Sequence, residues 1–309
     1  SATPVCLLLL GESGTGKSSV IKDVCDEFAA QRTEAGLKAT VLRAKAPSDG
    51  TCKGMAEKLL QALGDEHWSR GTLSGMTSRL YKLLHGVGCK AIIIDEFQHL
   101  ADKGQSGTLH RVSDWLKVLV EDQPWALLAA GLPRCKRVVN QNEQLARRFD
   151  SPILLPRFEW NVAADQADWK SLLFAFQLEL DPFELPDLQN EEMSFRTYLA
   201  TSGRVGLLAK LLERAVRDAI ETDRTEIHTK HLQAAYSKAV WTEAEFPIRG
   251  GPFGAKLDEL CGYTFEVGSL TDPIDNEPNE GACLVTRGSS ARTGRAASSS
   301  RELEKAFGC

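Results

Sequence analysis

Short apolar runs recur along the first half of the chain, and each is bounded by polar or glycine residues. Continuous runs of this length are typical of strands buried on both faces of a parallel sheet. They cover Val5–Leu10, Ala39–Ala44, Ala91–Ile94, Ala126–Ala130 and Pro152–Leu155. Stretches with helical spacing lie between them, at Lys17–Ala35, Cys52–Leu63, Thr72–His85, Leu109–Glu121 and Asn142–Arg148. This alternation predicts an α/β fold with a five-stranded parallel sheet.

The pattern changes near residue 160, after which helical spacing dominates. Amphipathic helices are predicted at Asp165–Leu180, Glu191–Ala200, Val205–Glu221 and Thr229–Trp241. We therefore divide the chain into an α/β domain over 1–160, a small all-α domain over 161–241 and a tail over 242–309. The tail is rich in Gly, Pro and acidic residues and then in Ser and Arg, so it is expected to be flexible.

Net charge, cysteine and histidine content and the length of the apolar runs argue against several classes of protein. The 309 residues carry a formal net charge of −5, which excludes a basic coat for nucleic acid but not a local basic patch. The eight cysteines form no CxxC pair, and histidines are scarce at six, so a zinc site is not expected. No apolar run approaches the ~20 residues that span a membrane, so the cytoplasm is the expected location. Ser1 lies just before the first predicted strand, which is compatible with an N-terminally incomplete fragment.

The first predicted strand leads into a full match to the phosphate-binding pattern G-x-x-x-x-G-K-[ST]. The match reads Gly11, Glu12, Ser13, Gly14, Thr15, Gly16, Lys17 and Ser18, followed by Ser19. The glycines let successive backbone N–H groups point at phosphate oxygens, and the helix that follows presents its positive end. Lys17 is expected to reach the β- and γ-phosphates of ATP, and the Ser18 hydroxyl to bind Mg²⁺. A glycine-rich turn that binds nothing is the alternative, but the position between a strand and a helix favours ATP.

Two carboxylates, Asp95 and Glu96, follow the third apolar run. Ligands of parallel sheets gather at the carboxyl ends of the strands, so both acids are expected beside the phosphate loop. Asp95 is expected to hold Mg²⁺ directly or through water, and Glu96 to act as general base toward the attacking water. Adjacent acids are also common on surfaces. The phosphate loop upstream favours the catalytic interpretation, and the pair favours hydrolysis over nucleotide storage.

Longer strings in the same region resemble the AAA+ ATPases of transposition, most closely the TniB/TnsC family. The discriminating strings are Ile93-Ile94-Asp95-Glu96-Phe97-Gln98-His99-Leu100 and Gln144-Leu145-Ala146-Arg147-Arg148-Phe149. The helix Leu109–Glu121, which ends in a Gln-Pro-Trp turn, adds to the likeness. The resemblance covers residues 1–241, whereas the phosphate loop and acidic pair alone indicate only an AAA+ or related ATPase.

The resemblance implies an ATP-dependent regulator of DNA transposition, with ATP and Mg²⁺ as cofactors. Members of this family assemble on double-stranded DNA as rings or helical filaments when ATP is bound. They recruit or activate a DDE transposase, and an adaptor of the TniQ type commonly joins them. Hydrolysis of ATP takes the assembly apart.

The resemblance also assigns roles to three arginines. Arg147 or Arg148 is expected to be the arginine finger, which reaches the γ-phosphate bound by a neighbouring subunit. A surface pair favoured by the helix dipole is the alternative. The string Thr201–Gly206 resembles the sensor-two turn, in which Arg204 would approach the β- and γ-phosphates. A solvated arginine at a helix start is the alternative there.

One feature departs from the wider AAA+ pattern. Many AAA+ proteins carry a polar sensor residue at the end of the fourth strand, but Ala129–Pro133 offers no polar candidate. We therefore expect water positioning to depend more on Glu96 and Gln98, or turnover to be slow.

Candidates for DNA contact lie in the two helices after the second strand. Contacts in such assemblies go mainly to the phosphate backbone, which needs Lys, Arg, Thr and backbone N–H groups. The candidates are Lys53, Lys58, Thr72, Thr77 and Arg79. For each of them, an ordinary solvated helix face is the alternative.

Two other functions remain open from the sequence. One is a different AAA+ switch, for example one similar to a helicase loader, that acts on protein partners without DNA-dependent assembly. The other is a non-hydrolysing scaffold that uses ATP as structural glue, although Glu96 argues against it.

Overall fold

The computed structural model describes residues 5–34, 36–102, 106–240 and 249–262. The chain divides into two compact units, Ser1–Pro156 and Arg157–Cys309. The division lies close to the predicted boundary at residue 160. No helix within the described residues combines the length and the apolar character needed to cross a membrane.

The first unit contains a parallel sheet and a separate hairpin. Its strands are β1 Cys6–Leu10, β2 Gln31–Thr33, β3 Gly36–Lys38, β4 Val41–Lys45, β5 Ala91–Asp95, β6 Ala126–Gly131 and β7 Ile153–Leu154. The five-stranded sheet has the order β4-β5-β6-β1-β7, and all of its pairs are parallel. The predicted fold class is therefore confirmed.

Helices connect these strands at bounds close to the predicted ones. They are α1 Lys17–Glu27, α2 Cys52–Ala62, α3 Leu73–Gly86, α4 Gln98–Asp102, α5 Ser106–Val120, α6 Lys136–Asn140 and α7 Glu143–Ala146. Successive strand residues point to opposite faces of the sheet. Ile92 and Ile94 join the main core with residues of α2, α3 and α5, whereas Ile93 joins a smaller cluster with Ile21 of α1. Burial on both faces explains why the strands are apolar without interruption.

The first predicted helix, Lys17–Ala35, is wrong in its second half. Helix α1 ends at Glu27, and β2 and β3 form an antiparallel hairpin with Thr33 opposite Gly36. Ile21 is the buried residue of α1, and the residues beyond Glu27 up to 34 are exposed. A longer helix would therefore gain no packing, while Gly36 adopts a φ of +119° that suits a turn.

The second unit is helical, as predicted for 161–241. Its main helices are α8 Ala163–Glu179, α9 Glu191–Thr201, α10 Val205–Glu221 and α11 Thr229–Ala239. They share a core around residues such as Trp169, Phe195, Leu211 and Leu232, all of which are at most 1% exposed. Trp241, where the last helix was predicted to end, lies outside the described residues.

The prediction of a flexible tail over 242–309 is wrong for residues 249–262. This segment forms two short helices, α12 Gly251–Gly254 and α13 Leu257–Cys261. Arg196 of α9 donates to the carbonyl oxygens of Pro252 and Ala255 at 2.8 and 2.9 Å, and Phe253 is buried in the core of the unit. These apolar residues and the buried guanidinium give the segment a packed position. Residues 241–248 and 263–309 lie outside the described part of the chain.

Candidate nucleotide-binding site

The phosphate loop, residues 11–18, joins the end of β1 to the first turn of α1. Gly14 and Gly16 have φ values of +80° and +99°, a conformation that favours glycine. Gly11 is needed for a different reason. A Cβ there would lie 2.3 Å from the carbonyl oxygen of Leu155, so only glycine lets the loop pass the chain after β7. Local conformation and close packing thus both fix the loop that the sequence predicted.

Lys17 places its ammonium group against the backbone of this loop. Its Nζ donates to the carbonyl oxygens of Gly11 and Glu12, each at 2.6 Å. The Thr15 hydroxyl donates to the same Glu12 carbonyl at 3.0 Å. Ser18 lies in the first turn of α1, where backbone N–H groups are directed out of the helix end. Positive charge and N–H donors therefore converge at one place, which suits a phosphate group.

The acidic pair lies at the carboxyl end of β5, as predicted. Asp95 is the last residue of the strand and is 1% exposed, whereas Glu96 is half-buried. Glu96 has a φ of +55°, and its N–H donates to Asp95 Oδ1 at 2.9 Å. A non-glycine residue in this conformation is strained, and such strain is typical of functional sites. The turn directs the two carboxylates differently, which is compatible with separate roles.

Arg43 is a partner of Asp95 that the sequence analysis missed. Its Nη2 lies 2.6 Å from Asp95 Oδ2, and its side chain is 28% exposed. Arg43 belongs to β4, which pairs with β5 in parallel register. An arginine between two apolar residues of a strand, Leu42 and Ala44, was the available signal, because a charge in such a place requires a partner. The ion pair neutralises a carboxylate that burial alone would penalise.

Gln98, at the start of α4, also reaches the acidic pair. Its Nε2 donates to Glu96 Oε2, and its side chain lies beside Gly131, the last residue of β6. The predicted contribution of Gln98 near Glu96 is thus compatible with the geometry. The Cys135 thiol lies beside the same glycine, and burial raises its pKa to about 12. This thiol stays protonated and acts as a small apolar side chain.

Comparison with known families identifies the chain. The family described as "Bacterial TniB protein" matches residues 1–160 of the 309. The chain belongs to the TniB family. A search of curated proteins returned no match.

Solved structures share the fold of this TniB-family chain. The ORC2 protein of Aeropyrum pernix, solved as ADPNP-ADP complexes, has a TM-score of 0.55 at 13% identity and covers 78% of this chain. Cdc6p from Pyrobaculum aerophilum has a TM-score of 0.56 at 12% identity and covers 77% of this chain. Aeropyrum pernix ORC1 in complex with DNA has a TM-score of 0.54 at 18% identity and also covers 77% of this chain. The chain spans 63%, 62% and 60% of these three structures. Family and fold together confirm the predicted TniB family and the predicted α/β fold.

The two candidate finger arginines of this TniB-family chain have different surroundings. Arg148 is 26% exposed at its side chain, lies 3.3 Å from Glu121, and accepts the Cys6 N–H through its backbone carbonyl. Arg147 is 75% exposed at its side chain and pairs with Glu143, its neighbour one turn earlier. Exposed pairs of this kind contribute little and break readily. The geometry therefore favours Arg147 for a contact with another molecule.

Arg204 lies in the second unit, where it immediately precedes α10. It is 7% exposed, and its carbonyl accepts the N–H groups of Leu207 and Leu208. Gly203 before it has a φ of +70°, and a Cβ there would lie 2.1 Å from the Phe158 carbonyl oxygen. The tight turn predicted from the sequence is therefore present. The sensor-two role of Arg204 stays a prediction.

Thr77 and Arg79, two of the five DNA candidates, make contacts within the fold that argue against DNA binding. Thr77 is 9% exposed, and its hydroxyl accepts from Trp115 Nε1 at 3.0 Å, so it serves packing between α3 and α5. Arg79 pairs with Asp65 at 2.6 Å and also donates to two loop carbonyls, those of His67 and Arg70. Its guanidinium holds the loop between α2 and α3 and is not available to DNA without breaking these contacts.

The remaining three DNA candidates are exposed. Lys53 and Lys58 lie on α2, and Thr72 caps α3 by accepting the Gly75 N–H at 3.3 Å. The side chain of Lys53 is 53% exposed and lies 4.0 Å from Glu57. Their role in DNA contact stays a prediction.

The ion pair between Arg43 and Asp95 predicts a measurable coupling. Replacing Arg43 by Met leaves the buried carboxylate without its strongest partner and should lower the free energy of unfolding of the first unit by about 2 kcal/mol. Asp95→Asn should lower the free energy of unfolding by less in the Arg43→Met background than in the wild type, because the charge of Asp95 is then already uncompensated. Urea unfolding of the four proteins measures this. Equal costs of Asp95→Asn in both backgrounds would contradict the pair.

Proposed function

We propose that this chain is an ATP-dependent, DNA-binding regulator of DNA transposition. With ATP bound it assembles on target DNA and recruits or activates a transposase, and hydrolysis of ATP drives disassembly. The observation that carries the proposal is the convergence of the phosphate loop and the acidic pair at one edge of the sheet in a chain of the TniB family.

Nucleotide binding is supported by the loop geometry. The residues assigned to the phosphates are Gly11, Glu12, Ser13, Gly14, Thr15, Gly16, Lys17, Ser18 and Ser19. Lys17 would move from the carbonyl oxygens of Gly11 and Glu12 to the more strongly charged β- and γ-phosphate oxygens, because a charged acceptor binds an ammonium more tightly. Arg204 is assigned to the same nucleotide as sensor two.

The residues present fit Mg²⁺. Proteins hold Mg²⁺ with few oxygen ligands of their own and complete its shell with water and substrate phosphates. Ser18 supplies a hydroxyl and Asp95 a carboxylate at the sheet edge. Since Arg43 and the Glu96 N–H already hold both Asp95 oxygens, a contact through water is the simpler arrangement. When bound, the ion would neutralise charge on the phosphates.

Hydrolysis is assigned to Glu96, with Arg147 acting in trans. Glu96 follows Asp95 on a turn and remains half-buried, so its carboxylate is near the site but accessible to water. As general base it would accept the proton of the attacking water. Arg147 would stabilise charge at the γ-phosphate bound by the next subunit, which links turnover to assembly.

DNA binding is assigned to the exposed residues Lys53, Lys58 and Thr72. Each would contact the phosphate backbone, and such contacts carry no sequence information by themselves. With a net charge of −5, the chain is suited to weak individual contacts that are summed over many copies in a ring or filament. A DDE transposase and a TniQ-type adaptor are proposed as protein partners on the basis of the family.

Electron microscopy with linear duplex DNA tests the proposal. We expect ordered rings or filaments with a slowly hydrolysed ATP analogue and none with ADP. Lys17→Ala should abolish the assemblies, because the loop loses its phosphate contact. Lys22→Ala is the matched control, since Lys22 is exposed on the same helix. Absence of DNA-bound assemblies in every nucleotide state would contradict the proposed role in transposition and favour an AAA+ switch that acts on protein partners.

The two arginines give a second prediction. Arg147→Ala should lower the ATPase rate of the assembled protein by at least about 100-fold, because an arginine finger contributes 10³–10⁵ in turnover. ATP binding by the isolated subunit should be unchanged. Arg148→Ala should instead weaken folding, through the lost pair with Glu121. Comparison of ATPase rates with melting temperatures separates the two, and the reverse pattern would move the finger to Arg148.

A further inference from the structure

At the end of β6 a glycine leaves a space, and side chains from other elements fill it. Gly131, the last residue of this strand, has no side chain. A Cβ at this position would lie 2.4 Å from Gln98 Oε1 and 2.6 Å from Cys135 Sγ. Strand backbone accepts any residue, so glycine is required here for room and not for conformation. The side chains of Gln98 and Cys135 occupy that room.

Hydrogen bonds fix the orientation of the Gln98 amide. A carboxylate accepts only and a backbone N–H donates only. Gln98 Nε2 therefore donates to Glu96 Oε2, and Gln98 Oε1 accepts the Leu132 N–H at 3.3 Å. Reversing the amide would lose both bonds. At 6% exposure the amide is shielded from competing water.

Hydrogen bonds hold both the backbone and the carboxylate of Glu96. Its backbone is fixed by the strained turn at φ +55° and by the hydrogen bond from its N–H to Asp95. Its carboxylate is tied through Gln98 to the backbone just after β6. The Phe97 N–H also donates to the Ala130 carbonyl at 2.9 Å, which holds the turn against the same strand. The amide link thus sets where the Glu96 carboxylate points.

We propose that Gln98 is the positioning residue for Glu96, and that it performs from α4 the task of a polar side chain at the end of β6. This inference rests on the proposed hydrolytic role of Glu96. Gly131 contributes to the same arrangement, because any side chain there would collide with the Gln98 amide and the Cys135 thiol. The nearby ion pair of Arg43 with Asp95 holds the other carboxylate in the same manner.

A purely structural role for Gln98 makes a different prediction. If the amide only links the turn after β5 to β6, its loss should reduce stability and nucleotide affinity along with turnover. If it positions Glu96, its loss should reduce kcat while the affinity for ATP stays the same, because the phosphate loop is untouched.

The experiment uses the full chain and two kinds of substitution. Gln98→Met keeps the length and volume of the side chain but removes both hydrogen bonds. Gln98→Ala also removes both hydrogen bonds and, in addition, empties the space. Gln61→Met is the matched control, on an exposed position of α2. For each protein kcat in the presence of linear duplex DNA, the Kd for a fluorescent ATP analogue and the melting temperature are measured, with wild type and Glu96→Gln as references.

We expect Gln98→Met to lower kcat by about 100-fold, as a misplaced catalytic group does, with the analogue Kd within about twofold of the wild type. Gln98→Ala should lower kcat to a similar extent, because both substitutions release the Glu96 carboxylate. A selective loss of kcat is not expected of a structural link. Gln61→Met should match the wild type.

Three outcomes would overturn the inference, and they separate the positioning role from the hydrolytic function. Normal kcat in Gln98→Met, with Glu96→Gln inactive, would refute the positioning role and leave the proposed hydrolysis intact. The same holds if kcat, affinity and melting temperature fall together in Gln98→Met. Wild-type protein as inactive as Glu96→Gln would refute the hydrolytic function itself, and the inference with it.

Discussion

Parallel pairing of β1, β5 and β6 is the constraint on which the candidate site depends. Leu10 pairs with Gly131, and Ile94 pairs with Ala129, so the three strands end at the same edge of the sheet. Whatever follows each strand is therefore brought to one place. The phosphate loop follows β1 and the acidic pair ends β5. The apolar residues that bury the sheet on both faces thus also set the geometry of the polar residues beyond them.

Close approach of chain segments is the second requirement at this edge. Gly11 lets the phosphate loop pass the carbonyl of Leu155, and Gly131 leaves room for the Gln98 amide. In both cases the missing side chain allows a close approach that a Cβ would block. Glu96 shows the opposite case, since a non-glycine residue is held at positive φ by the hydrogen bonds around it.

The sequence predicted what local patterns determine, and it missed what depends on contacts across the fold. Continuous apolar runs located the sheet because burial on both faces needs no alternation. The hairpin after α1 was missed because helix propensity continues beyond the point where packing stops. Thr77 and Arg79 looked like surface residues, but Trp115 and Asp65 engage them. Arg43 was missed because its partner lies on a neighbouring strand, far along the chain.

The central claim is that this sheet edge binds Mg-ATP, and a structure of the chain with Mg²⁺ and a slowly hydrolysed ATP analogue tests it most directly. The account predicts phosphates inside residues 11–18, with Lys17 Nζ on their oxygens instead of on the carbonyls of Gly11 and Glu12. It also predicts the metal ion beside Ser18 and Asp95. Phosphates that contact none of these residues, or no bound analogue at high concentration, would contradict it.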